Sequence, residues 1–200
     1  MRDLVTFVTS TIRSPSVIGA VAPSGRALSD LLASVAPAEG EPVVVELGPG
    51  TGVVSAALRR RLPPGARHLA VELDTGMVTH LRRTRPWLEV LQGDAADLQK
   101  LLADAGVDRV DAVVSGLPWT LFPESAQRGI IDQVTKVLAP GAPFTTFAYS
   151  HVRRFPTQRR FRTVLEEAFA EVVVTPTVWR NLPPALAYQC RHPRNGEGNA

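Results

Sequence analysis

The sequence predicts an α/β protein: a seven-stranded, mostly parallel sheet with helices on both faces and a helical extension at its N-terminus. Three observations carry this. Runs rich in β-branched residues alternate with helix-period segments from about residue 42 to residue 191. One junction, Val43-Val44-Val45-Glu46-Leu47-Gly48-Pro49-Gly50-Thr51-Gly52, passes from strand to helix through three alternate glycines. Acidic or small polar residues then stand at the ends of four successive strands. Alternation of this kind implies right-handed crossovers, with ligands bound outside the carboxyl ends of the strands.

In chain order, a first helix is expected over roughly residues 2–13. A second follows Pro23-Ser24, with Ser24 as N-cap and Leu28, Leu31, Leu32 and Val35 on one face. Strand one runs from about Pro42 to Leu47, and its helix from Thr51 to Leu62 stops at Pro63-Pro64-Gly65. Strand two is His68–Asp74, followed by a helix near 75–84. Strand three, Leu88–Ala95, precedes a helix near 95–105. Strand four begins at Val110 and ends in the turn Ser115-Gly116-Leu117-Pro118-Trp119. Ile130, Ile131, Val134, Val137 and Leu138 mark a helix closed by Pro140-Gly141, and strand five is Phe144–Tyr149. A helix with Phe161, Val164, Leu165, Ala168 and Phe169 inward precedes strands near 171–179 and 185–191. The domain is expected to span 1–194, with helices over 1–37, a core over 38–194 and a disordered tail over 195–200.

The glycine turn needs open φ/ψ space and leaves no Cβ between the main chain and a ligand lying across it. Its spacing is G-x-G-x-G, not the G-x-G-x-x-G of dinucleotide sites. Glu46 at the strand end repels a pyrophosphate and suits a cation bearing an amino group and a sulfonium. Glu72 falls 20 residues after Gly52, where such folds place an acceptor for ribose hydroxyls. Asp94 ends the next strand in the same way, and Ser115 ends the one after.

Length and composition fit one enzyme-sized domain. Two hundred residues bury a substantial core, and 44% hydrophobic with 20% charged residues is ordinary for a globular chain. The single cysteine, Cys190, forms no internal disulfide, which points to a reducing cytoplasm. No Cys/His cluster has metal-ligand spacing, so no metal is expected. The net charge of +3 suits an anionic surface such as membrane or nucleic acid. Thr6, Thr9, Ser10, Thr11 and Arg13 interrupt the apolar start too early for a secretory signal. No stretch reaches the ~18 apolar residues of a spanning helix, so a soluble or peripheral chain is expected.

Taken together, these strand ends resemble the class I S-adenosylmethionine-dependent methyltransferases, whose fold is Rossmann-like. The resemblance implies a cofactor site of Glu46, Gly48, Pro49, Gly50, Thr51 and Gly52, with Glu72 and Leu73 at the ribose. Gly93, Asp94 and Ala95 would lie near the adenine amine, with Ser115 alongside. The turn Gly116-Leu117-Pro118-Trp119 is similar to the Asn-Leu-Pro-Tyr turn of rRNA adenine dimethyltransferases. Gly116 stands where that Asn would hold an exocyclic amine, which argues against adenine as acceptor. Ser14–Ser24, containing Gly19-Ala20-Val21-Ala22-Pro23-Ser24, and Trp179-Arg180-Asn181-Leu182-Pro183-Pro184-Ala185 resemble segments of bacterial phospholipid N-methyltransferases. Those enzymes convert phosphatidylethanolamine stepwise to phosphatidylcholine. A small-molecule amine or rRNA methyltransferase, and a cofactor-binding module without turnover, are the alternatives.

On this reading Gly116, Leu117, Pro118 and Trp119 face the acceptor. Trp119 and Tyr149 would offer ring faces worth ~0.5–2 kcal/mol to a methylated ammonium, and His151 or Tyr149 would accept the amine proton. Leu4, Phe7, Val8 and Ile12 recur at helical spacing between Arg2 and Arg13, as in a short interfacial helix. Arg153, Arg154, Arg159, Arg160 and Arg162 cluster around Phe155 and Phe161, which suits a lipid surface or nucleic acid. A cytoplasmic location, peripheral on the inner face of the membrane, is the corresponding expectation.

Overall fold

Val43-Val44-Val45 packs its branched side chains best on a pleated surface, and Val43–Leu47 forms β1 at the centre of the sheet. The computed structural model describes residues 25–152 and 155–194. The helix expected over 2–13, Ser24, Arg153, Arg154 and the tail from 195 lie outside the described residues.

Six further strands join β1: β2 (Arg67–Glu72), β3 (Glu89–Gln92), β4 (Ala112–Ser115), β5 (Phe144–Tyr149), β6 (Phe169–Val174) and β7 (Ala185–Pro193). Their spatial order is β3-β2-β1-β4-β5-β7-β6. The first five are parallel, and β7 runs antiparallel to both β5 and β6. Chain order reverses between β1 and β4. A crevice opens at such a point because the loops after its two strands diverge to opposite faces.

Among the described residues six α-helices cover the sheet: α1 (Arg26–Ala33), α2 (Val53–Arg61), α3 (Thr75–Thr84), α4 (Leu98–Asp104), α5 (Glu124–Val137) and α6 (Pro156–Ala168). The strands divide their side chains between two faces with period two. Val45 and Leu47 of β1, Val113 of β4 and Leu186, Tyr188 and Cys190 of β7 meet α4, α5 and α6. Val44, Ala112, Val114, Ala185 and Ala187 face the other way, onto Leu28 and Leu32 of α1 and Val54, Ala57 and Leu58 of α2. Val78 and Leu81 of α3 cover Ala70 and Val90.

Several boundaries differ from expectation for local reasons. The helix expected from Thr51 starts at Val53, because Gly52 is left-handed at φ 78°, ψ 31°. Gly25, not Ser24, occupies the N-cap of α1, and no side chain caps it. The helix expected over 95–105 opens with a 3₁₀ turn, Ala95–Asp97, before α4. The sixth strand starts earlier than expected, at Phe169, whose backbone is extended directly after α6. It stops at Val174 because Pro176 has no N–H for the ladder.

Candidate active site

Loops after β1, β2, β3 and β4 meet at one edge of the sheet, stitched by glycine amides that prolong the ladders. Gly48 N–H donates to Val71 O at 3.0 Å, Gly93 N–H to Glu72 O at 3.0 Å, and Gly116 N–H to Leu47 O at 2.8 Å. Gly48, Gly50 and Gly52 all have positive φ, at 66°, 54° and 78°. The first two glycines differ in their surroundings. A Cβ on Gly48 would stand 2.7 Å from Leu117 Cδ2, so this glycine allows the β1 and β4 loops to touch. A Cβ on Gly50 would meet nothing within 4 Å, so the loop is open there. Pro49 is buried beneath the turn and Thr51 is exposed on it.

Glu72, at the end of β2, turns its carboxylate onto this opening. Oε2 accepts from Gly50 N–H at 3.2 Å and Oε1 from Asp74 N–H at 2.9 Å. Only 8% of the residue is exposed, and burial pushes its pKa above the usual carboxylate range despite those backbone donors. Two carboxylate oxygens beside an uncovered main-chain loop can accept from hydroxyl groups of a ligand seated there. Leu73 and Asp94 flank it, both partly exposed. Asp94 Oδ1 caps the 3₁₀ turn through Ala96 N–H at 2.9 Å, over buried Ala95. Gly93 is small for packing: a Cβ there would lie 2.7 Å from Leu101 Cδ1.

Glu46 does not reach this opening. With Val45 and Leu47 facing α4–α6, the alternation of β1 turns Glu46 toward α2, where it is 1% exposed. Its Oε2 accepts from Ser55 Oγ at 2.6 Å and pairs with His68 Nε2 at 3.2 Å. The carboxylate therefore ties β1 and β2 to the first turn of α2, and contact with a cationic ligand is corrected to support of the glycine loop. Ser55 and His68 are partners that sequence reading missed. Their one signal was a polar residue in each of two otherwise apolar runs.

Two further assignments are corrected by burial. Ser115 is 0% exposed, and its Oγ accepts from Trp119 Nε1 at 3.1 Å and Leu117 N–H at 3.3 Å. Its side chain is used within the turn and not toward a cofactor. Trp119 is 2% exposed, donates also to Thr146 Oγ1 at 2.9 Å, and stacks on Phe161 at 4.7 Å between centroids. Phe122 and Phe144 meet it edge-on. An indole enclosed this way has no face left for an ammonium group, so Trp119 anchors the turn. Gln127, also missed from sequence, holds the same turn by donating to Trp119 O at 2.7 Å.

What the turn leaves at the rim is Gly116, Leu117 and Pro118, each partly exposed. A Cβ on Gly116 would come within 2.7 Å of Gly48 O, so this backbone admits no side chain at that position. At the end of β5, Tyr149 is half-buried, edge-on to Phe147 and near-parallel to exposed His151 at 5.8 Å. Burial raises the pKa of the Tyr149 phenol, which keeps its proton at neutral pH. That disfavours it as a proton acceptor. Among the described residues, no group of His, Cys, Asp and Glu is placed to hold a metal ion.

The chain is similar in sequence and in fold to known methyl-transferring proteins. A methyltransferase domain family matches residues 44–141. An ornithine lipid N-methyltransferase of Singulisphaera acidiphila is 35% identical over 196 residues, covering 96% of this chain and 97% of the relative. The chain belongs to the class I S-adenosylmethionine-dependent methyltransferases. S-adenosylmethionine is the methyl donor of this methyltransferase. A ribosomal RNA small subunit methyltransferase A of Acidithiobacillus ferrooxidans is 37% identical over 93 residues, which is 46% of the chain and 33% of that protein. In fold, the methyltransferase is similar to an O-methyltransferase from Bacillus cereus solved in complex with SAH. That likeness has a TM-score of 0.63 at 16% identity, over 94% of this chain and 89% of that one.

Proposed function

We propose that this methyltransferase N-methylates the head-group amine of a membrane lipid, with phosphatidylethanolamine and its mono- and dimethyl derivatives as acceptors. The observation that carries this is the end-to-end similarity to a lipid N-methyltransferase, which covers 96% of the chain, whereas the rRNA relative matches 46%. Gly116 supports it, since the contact with Gly48 O leaves no room for the amide with which an adenine would be gripped.

The cofactor, when bound, supplies an electrophilic methyl on a sulfonium. In our reading Glu72 accepts from its ribose hydroxyls, Asp94 and the residues beside it, Gly93 and Ala95, take the adenine end, and the open backbone at Gly50 takes the remainder. The acceptor nitrogen approaches over Gly116, Leu117 and Pro118. The chain's contribution is to hold the two reactants at attack distance, a source of ~7–11 kcal/mol in well-oriented systems. An ethanolamine ammonium loses its proton before attack. His151, exposed beside Tyr149, is the acceptor we assign in preference to the half-buried phenol. The reaction would run at the inner membrane surface, and the net charge of +3 favours an anionic leaflet.

Labelled S-adenosylmethionine offered with detergent-dispersed phosphatidylethanolamine, ornithine lipid, soluble amines and an rRNA fragment tests the proposal. Label in a lipid amine is the expected result. Faster transfer to a soluble amine or to rRNA would defeat it, and exclusive transfer to ornithine lipid would retain the lipid class but replace the head group.

A further inference from the structure

Large apolar side chains left in water are few among the described residues, and two of them share one loop. Trp179 is 78% exposed and Leu182 is 82% exposed, both between β6 and β7. Because β7 runs antiparallel to β5, with Tyr149 opposite Ala185, this loop lies at the edge where the glycine turn and the β4 turn open. It is also firmly held. Asn181, 3% exposed, accepts from Gly25 N–H at 2.7 Å and donates to Pro183 O at 2.6 Å. Ser150 N–H donates to Pro184 O at 2.8 Å. Asn181 thus points in while Trp179, exposed Arg180 and Leu182 point out.

The surroundings carry cations. The stretch Thr175–Pro184 contains Arg180 and no acid. Arg159 and Arg162 of α6 line one depression with Thr175 and Pro176 at the root of the loop. Arg162 is paired with Glu166, whereas Arg159 follows Phe155, itself 54% exposed at the start of α6. An amphipathic aromatic, an aliphatic side chain and arginines with no ion pair among the described residues match, on one edge, the layered chemistry of an anionic bilayer surface.

We propose that the β6–β7 loop is a membrane-contact element: Trp179 and Leu182 enter the interfacial layer of an anionic bilayer while Arg180 and Arg159 meet lipid phosphates. Docking on this edge presents the lipid head group to the mouth of the cofactor site. The inference rests on the lipid-acceptor reading above and adds the surface by which the chain meets that lipid.

Trp179 reports on itself in a difference spectrum, which subtracts the enclosed Trp119 and the partly exposed Trp87. The full chain is titrated with phosphatidylcholine vesicles containing phosphatidylglycerol, and the emission of the parent minus that of Trp179→Phe is followed. Expected are a blue shift, quenching by brominated acyl chains, and weakening by salt. Trp179→Ala with Leu182→Ala should lower vesicle partitioning roughly tenfold or more while cofactor affinity stays within about twofold. An emission that vesicles leave unchanged overturns the proposal. So does an emission already blue and shielded from iodide before vesicles are added, which would mean that the first 24 residues, joined to the loop at Gly25, cover it. Docking without methylation of any dispersed lipid would sink the acceptor reading alone. Methylation of dispersed lipid without a Trp179 response would sink the docking alone.

Discussion

Gly116 of the β4 turn lies against Gly48 of the β1 turn so closely that a Cβ on the former would sit 2.7 Å from the carbonyl oxygen of the latter. Two loops from adjacent strands thereby share one wall at the point where chain order reverses. Gly116→Ala should force these backbones apart, at ~1–3 kcal/mol of stability, and widen the cofactor cradle. A lowered melting temperature together with weaker S-adenosylmethionine binding by calorimetry is the expected pair. Gly116→Asn should be worse on both counts and gain no activity on adenine; a stable Asn variant that methylates rRNA would refute this account of the turn.

Glu72 is the carboxylate that faces the open loop, and hydrogen bonds to charged acceptors are worth ~1.5–3 kcal/mol. Glu72→Ala should weaken cofactor binding roughly ten- to a hundredfold. The raised pKa adds a pH signature. Protonation removes acceptor capacity, so affinity should fall on acidification at a pH above the 4.5 of an ordinary glutamate. Fold stability responds in the opposite sense. The folded state binds the Glu72 proton more tightly than the unfolded chain, so this group adds stability as pH falls from its folded pKa toward 4.5. Titrating affinity and melting temperature in the parent and in Glu72→Gln separates the two; identical profiles would remove Glu72 from the site.

Trp119 should behave as a core residue. Trp119→Ala removes an indole 2% exposed and stacked on Phe161, which costs ~3–5 kcal/mol. Trp119→Phe keeps the stack but loses the donor shared by Ser115 and Thr146, at ~1–3 kcal/mol. Chemical denaturation should show both losses. Selective loss of kcat in a variant of unchanged stability would restore the ring to the acceptor site.

Tyr149→Phe should retain turnover within a few-fold near neutral pH, because the half-buried phenol holds its proton there. The pH–rate profile of this variant should overlay that of the parent. A large drop in kcat with an altered basic limb would make the phenol a participant.

Strand and helix were legible because period-two and period-3.6 patterns depend on neighbours in sequence. Phe144–Tyr149 and the helix near 75–84 fell where the patterns put them. The glycine turn was legible because left-handed backbone selects glycine. Side-chain direction was not. Glu46 and Glu72 both end strands in sequence, yet one faces α2 and the other the open loop, and only the pairing of β1 with β2 and the packing of α2 separate them. Trp119 misled for a related reason. Its partners Thr146 and Phe161 are far away in sequence, so an aromatic in a turn looked available when the fold had enclosed it.

The reversed strand β7 has a consequence for how this scaffold diversifies. The family match ends at Gly141, before β5, so the matched portion includes the glycine turn, Glu72, Asp94 and the β4 turn. Had the last strand been added in parallel, its preceding connection would have crossed to the far edge of the sheet. Running it backwards makes β6 and β7 a hairpin whose tip returns to the donor's edge. The ten residues between Val174 and Ala185 then stand at the edge of the glycine turn yet outside the matched portion, so this tip can vary while β1 to β4 stay as they are.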